Sequence, residues 1–278
     1  MATIIGGLGS SHSPSIAVAL NSGRADTPEW KPLFDGYRPM IDWLEREAPD
    51  LAIVIANDHC DTFFFDRYPS FAMSVAPEHE IADEGWGKWP LAPIPGHAEF
   101  AWQLAHSLVD DEFDLTVCQE MPLDHGFLTP LTCTFPPERR WRVPVVPIMV
   151  NVIQPPLPTA NRCFRLGQAI RRAVEAYPED LKVVVYGTGG LSHQLQGERY
   201  GYNNVEWDNE FLDLLVADPE RVARMRHQEL MERGGSEGVE VIMWLMMRGA
   251  LGERVRCVHR NYYLPMVTGL AQLILEPA

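Results

Sequence analysis

The sequence has no cysteine pair spaced as CxxC, and its five cysteines, Cys60, Cys118, Cys133, Cys163 and Cys257, are odd in number and scattered. Neither a disulfide framework nor a thiolate metal site is expected, and a reducing, cytoplasmic setting fits. Basic residues are scarce beside acidic ones, 23 Lys and Arg against 38 Asp and Glu, for a formal charge of −15. A surplus of that sign repels phosphate backbones and anionic headgroups, which argues against nucleic acid and membrane surfaces as partners. No stretch offers about 18 uninterrupted apolar residues. The opening MATIIGGLGSSHSP has no basic segment, so neither insertion nor export is expected. Internal repeats, heptad runs and low-complexity tracts are likewise missing.

What is there suits one globular domain over residues 1–278, with 46% hydrophobic residues to build a core. Short apolar runs bounded by turn residues recur at 3–9, 51–57, 71–76, 143–151 and 182–187, and read as buried strands. Segments with helical spacing lie between or after them at 37–47, 97–111, 162–177, 206–216 and 236–250. Strands alternating with helices predict an α/β fold, a mixed or largely parallel central sheet sandwiched between helices. Pro and Gly cluster at 85–96 and 154–158 among apolar residues, as ordered excursions of the kind that cover a site.

Of nine histidines, three follow a strand signal directly: His12 in GLGSSHSP, His59 in ANDHCD and His193 in GTGGLSHQLQG. Functional groups in open α/β sheets gather beyond the carboxyl ends of the strands, so three such loops can bring imidazoles together. His125, in LDHGFLTP, sits in a comparable loop after the apolar run 115–118. Each of these taken alone reads as a hydrogen-bonded loop residue; four together favour a site, because imidazole is the commonest neutral metal ligand. Asp58 and Asp124 each precede one of them, and a carboxylate can orient a ligand histidine. His79, His97, His106, His227 and His259 fall on helices or polar turns and read as structural or solvated.

Two histidines and one carboxylate on an octahedral face are the commonest non-haem iron arrangement. Glu240 is the candidate carboxylate. It lies in the first turns of the otherwise apolar helix GSEGVEVIMWLMM, where a charge is expensive to bury without a partner. The alternative is an exposed helix residue, with Glu237 as a dipole contact or a reserve ligand. No compact HxxxH or HExxH signature is present, which leaves zinc open.

With these residues laid out, the chain resembles the LigB-type, class III extradiol dioxygenases, most closely their protocatechuate-cleaving catalytic β subunits. The resemblance runs from SSHSP, ANDH at 56–59, ADEGWG at 82–87 and DHG at 124–126 to GTGGLSHQLQG at 187–197 and GSEGVE at 235–240. It implies Fe(2+) held by His12, His59 and Glu240, with His193 as the acid/base residue and His125 beside the oxygen site. It implies ring opening of a catecholic aromatic acid such as protocatechuate by O2, with gallate and 3-O-methylgallate as alternatives. A separate small α subunit, or association as a homo-oligomer, is implied to close the pocket. The segment LPMVTGLAQLILEP at 264–277 lacks the Ser-Asn pair expected where protocatechuate's carboxylate is held. A non-catalytic binding module of the same fold and a zinc hydrolase on the same three ligands are the readings from other classes.

Overall fold

The computed structural model describes residues 1–135 and 143–278. In chain order the elements are β1 (Thr3–Ser10), α1 (Pro14–Asn21), α2 (Lys31–Glu47), β2 (Leu51–Ala56) and β3 (Phe71–Ser74). A short ribbon of β4 (Glu78–His79) and β5 (Ile94–Pro95) follows, then α3 (Ala98–Asp110), β6 (Thr116–Cys118), α4 (His125–Thr134) and β7 (Val145–Val150). The chain continues through α5 (Ala160–Ala176), β8 (Lys182–Thr188), α6 (Val205–Ala217), α7 (Pro219–Ala223) and α8 (His227–Gly234). A 3-10 turn at Glu237–Glu240 leads into α9 (Val241–Ala250), β9 (Val255–Tyr263) and β10 (Leu270–Pro277).

Eight strands form one sheet in the order β6-β3-β7-β2-β8-β1-β10-β9. Its centre, β7-β2-β8-β1, is parallel, whereas β3 on β7, β10 on β1 and β9 on β10 are antiparallel. The central strands are apolar at nearly every position because both faces are covered. Ile53, Ile55, Val183 and Val185 join a core with α3, α5, α6 and α9, and Ala52, Val54, Val184 and Tyr186 join one with α1, α2 and α4. Burying each larger aliphatic side chain stabilises the sandwich by roughly 1.5–3 kcal/mol, so alternate residues of one strand hold both layers.

The expected α/β sandwich is therefore the observed fold, and the five expected strands are β1, β2, β3, β7 and β8. The helix expected over 37–47 begins earlier, at Lys31, because Pro32 occupies the first turn, where no N–H is needed. Pro39 lies inside that helix and hides its continuity from a reading of local signals. His125 is corrected from a loop to the first residue of α4: Asp124 caps that helix by accepting the Gly126 N–H at 2.9 Å. Glu240 closes a 3-10 turn and precedes α9, rather than lying within one helix over 236–250. Strands β9 and β10 were not foreseen; β10 pairs with β1, so its beginning lies at the carboxyl ends of the parallel strands.

Helix α9 lies unusually close to the sheet. A Cβ on Gly9 would fall 2.2 Å from the Trp244 ring, so only glycine lets this indole rest on β1. The Trp244 indole N–H then donates to the Gly189 carbonyl at 3.1 Å, fixing the start of α9 over the end of β8.

Candidate metal centre and active site

Three adjacent strands deliver the site. In the register of β8 with β1, Thr188 sits opposite Ser10, and β2 flanks β8 on its other side. The residues just past these ends are His12, Asn57 to His59, and Gly189 to His193. The Thr188 hydroxyl donates to the Ile55 carbonyl at 2.9 Å, which leaves its oxygen to accept from His12 Nδ1, also at 2.9 Å. That fixes the proton of a neutral His12 on Nδ1 and leaves the Nε2 lone pair free. His12 is 2% exposed, and Nε2 has no hydrogen-bond partner. Burial, with His59 and His125 nearby, holds its pKa well below the ordinary histidine value, so the ring is neutral.

His59 is oriented from the opposite side. Asp124 Oδ2 accepts both its backbone N–H and its ring Nδ1–H, each at 2.8 Å. Its Nε2 receives the Asn57 side-chain amide at 3.0 Å. Burial pulls the His59 pKa down, but the Asp124 carboxylate, with Glu240 and Glu84 beyond, outweighs it and lifts the value to about 9. In return, the His59 interactions hold Asp124 well below the carboxylate range against the cost of its own burial.

Glu240 is 8% exposed, so it is not the solvated helix residue of the alternative reading. Its Oε2 accepts the Gly190 N–H at 2.6 Å and lies 3.7 Å from His12 Nε2 and 3.9 Å from His193 Nε2. The approach depends on Gly189, whose φ of +116° suits glycine and where a Cβ would fall 2.8 Å from that of Glu240. Glu237, the reserve carboxylate, also lines the cavity but is not grouped with His12 and His59; it accepts from Ser236 Oγ at 2.5 Å and Leu195 N at 3.2 Å. His193 directs Nδ1–H to the Leu191 carbonyl at 2.9 Å, so Nε2 of the neutral ring is its free basic nitrogen. His125 stacks at 3.9 Å between centroids on His59.

Ligand atoms of His12, His59 and Glu240 lie within 4.8 Å of one another, and all three line a cavity of about 350 Å³ together with His125 and His193. Two other groups among the described residues have comparable spacing, His59 with Asp124 and His125, and Asp61 with Glu84 and Asp124. Asp124 is already engaged by three N–H donors, and only the first group contains an unpartnered buried nitrogen. An orphaned imidazole lone pair facing a buried carboxylate is an arrangement that a cation would satisfy.

The family described as the catalytic LigB subunit of aromatic ring-opening dioxygenase matches residues 6–272. The chain belongs to the LigB family. It is 52% identical over 196 residues to a gallate dioxygenase of Pseudomonas putida, covering 70% of this chain and 58% of that protein. It thus spans little more than half the length of that relative. It is 26% identical over 291 residues to a 2,3-dihydroxyphenylpropionate/2,3-dihydroxicinnamic acid 1,2-dioxygenase of Photorhabdus laumondii, covering 87% of this chain and 89% of that one. An uncharacterized protein of Escherichia coli K12 shares the fold, with a TM-score of 0.60 at 14% identity over 99% of this chain and all of that one.

Several residues that shape the site escaped the sequence reading: Thr188, Asn57, Glu84 and Asp208. The first three lie inside the quoted motifs GTGG, ANDH and ADEGWG, so a signal was present. Asp208 carries none. From α6 it accepts the Ser192 N–H and hydroxyl, each at 2.7 Å, and so anchors the residue next to His193. Asp58, by contrast, orients no histidine; its carboxylate accepts the backbone N–H groups of Cys60, Thr62 and Phe63. Of the other histidines, buried His79 meets the Val145 carbonyl at 3.1 Å, His97 caps α3, and His106 is exposed. No helix among the described residues is long and apolar enough to cross a membrane.

Proposed function

We propose that the chain is the catalytic domain, over 1–278, of a non-haem Fe(II) extradiol dioxygenase that opens a carboxylated catechol ring with O2. The observation that carries this reading is the convergence of the His12 Nε2 lone pair, His59 and Glu240 on one point beside a cavity. Two imidazoles and a carboxylate serve ferrous oxygenases and zinc hydrolases alike, and it is membership of a family described as aromatic ring-opening dioxygenases that favours iron over the zinc alternative. A bound ferrous ion supplies a meeting place for the diol oxygens and O2 and the electron transfer between them.

The protein's own part is positioning and proton handling. Thr188 locks His12 in the tautomer that leaves Nε2 unpartnered, and Asp124 holds His59 by Nδ1, so that its Nε2, which meets the Asn57 amide in this structure, is the nitrogen it would turn to a metal. His193 accepts a proton from a substrate hydroxyl at Nε2 and returns it later, while Leu191 holds the other ring nitrogen. His125 lines the same cavity and, with Nδ1 held by Glu84, presents Nε2 to a bound substrate or oxygen. The cavity lies at the small end of ligand sites, which run from about 300 Å³ upward, and suits a single aromatic ring.

Identity to the gallate dioxygenase supports gallate as substrate alongside protocatechuate. The exposed Leu195 and Met266 at the cavity mouth support closure by a small second subunit or another copy of the chain. Intact His193 and His125 beside the triad argue against a non-catalytic module. The test is anaerobic reconstitution with Fe(II), then O2 uptake on gallate and protocatechuate by wild type and His193→Phe. The variant is expected to retain iron and lose turnover by about 10²- to 10⁴-fold. Reconstituted protein that consumes no O2 with any catechol would overturn the reading.

A further inference from the structure

The motif ADEGWG at 82–87 has no task in the reaction as described, yet it carries a carboxylate into the site. Glu84 lies on the excursion between β4 and β5, whose ends are tied by pairing of Glu78 with Pro95 and of His79 with Ile94. Both of its oxygens engage one residue. Oε2 accepts the His125 backbone N–H at 3.0 Å, and Oε1 accepts the ring Nδ1–H. Both side chains are 5% exposed, so water competes little for either bond. Within the same loop, Asp83 Oδ1 accepts the N–H groups of Gly85 at 3.1 Å and Gly87 at 3.0 Å, which holds the turn beside Glu84 in shape.

We propose that Glu84 is the positioning residue for His125, a counterpart to Asp124 for His59, and that the 80–93 excursion is thereby part of the active site. The inference rests on the proposed role of His125 toward substrate or oxygen. With Nδ1–H held by the carboxylate, the nitrogen His125 can present to the cavity is Nε2. The two-point grip fixes the ring plane as well as the tautomer, because the backbone contact anchors the carboxylate while the side-chain contact anchors the ring. Both contacts come from Glu84. Asp124 cannot substitute for it, since its oxygens are engaged by His59 and Gly126.

The first test needs neither metal nor turnover. In metal-free wild-type protein, a long-range proton–nitrogen correlation spectrum of the imidazoles should show His125 protonated at Nδ1. A His125 carrying its only proton on Nε2 overturns the proposal, and it does so whatever the substrate proves to be. The second uses Glu84→Gln, whose amide can accept from one of the two His125 donors but opposes its NH2 to the other. Its expected signature is a kcat lower by about 10- to 100-fold with KM and Co(II) affinity little changed, and no further loss when combined with His125→Phe. Turnover equal to wild type, or losses that add in the double variant, counts against the assignment. An inactive His125→Phe protein with normal metal binding and a Glu84→Gln protein at full activity would sink Glu84 while leaving the proposed reaction standing.

Discussion

Asp124 takes both N–H groups of His59, backbone and ring, on a single oxygen at 2.8 Å each, across 65 positions of sequence. Its immediate neighbour His125 is served instead by Glu84 from another loop. The carboxylates are thus exchanged relative to chain order, and removing one should disturb the histidine it faces in space. Asp124→Asn keeps the size of the side chain but loses its charge and one acceptor. Metal affinity, read by Co(II) titration, should fall about 10- to 100-fold. An unchanged affinity would show that His59 needs no carboxylate to hold its ring.

The orphaned His12 nitrogen bears on thermal stability. A cation that binds the folded state alone stabilises it by about 2.7 kcal/mol at one hundred times its Kd. Anaerobic Fe(II) or Co(II) should therefore raise the melting temperature of the wild type and not that of Glu240→Ala or His12→Ala. An equal metal-induced shift in these variants would place the ion elsewhere.

Gly9 should be intolerant of even one methyl group. The Cβ of Gly9→Ala meets the Trp244 ring at 2.2 Å, and Trp244 lies on the helix that follows Glu240. Overpacking of this kind costs about 1–3 kcal/mol, seen as a lower urea midpoint with an unchanged slope. Metal affinity should drop with it, since any tilt of α9 moves the carboxylate away from His12. A variant with wild-type midpoint and affinity would mean that α9 is free to retreat.

His79 predicts a pH dependence away from the site. Burial holds its pKa below the ordinary 6.5, and the Val145 carbonyl only partly offsets this. The folded state therefore refuses a proton that the unfolded chain accepts, so its contribution to stability is complete above 6.5 and is lost as pH falls below it. Replacing it by Gln should cost about 1–2 kcal/mol at around pH 8, and the deficit should shrink toward about pH 5. Urea melts of both proteins across this range provide the check. A deficit that stays constant would remove His79 from the pH response.

Much of the fold could be read locally because strands buried on both faces announce themselves as apolar runs, as LAIVIA at 51–56 does. Helix α2 was only half visible, since Pro39 looks like a stop until the rest of the helix is seen packed. Helix α4 was missed because Asp-His-Gly reads as a loop unless the aspartate is recognised as a cap. At the site, His12, His59 and His193 stood out by following strand signals, and Glu240 by being a charge in an apolar helix. Asp208 left no local trace, and although Asp124 and Glu84 lie in legible motifs, which histidine each serves was not legible, because a hydrogen bond across the fold imposes no spacing on the sequence.

By itself, then, the sequence determined the alternation of strands and helices and the placing of imidazoles just past strand ends, because hydrophobic period and turn chemistry act over a few residues. It also determined the family, through motifs spread along the chain. Only the tertiary structure decided that Thr188 frees the lone pair of His12, that Asp124 serves His59 rather than its neighbour, and that Glu240 turns inward. Those outcomes depend on strand register and on how closely α9 rests on glycine. Both are properties of packing between distant segments, which no single segment encodes.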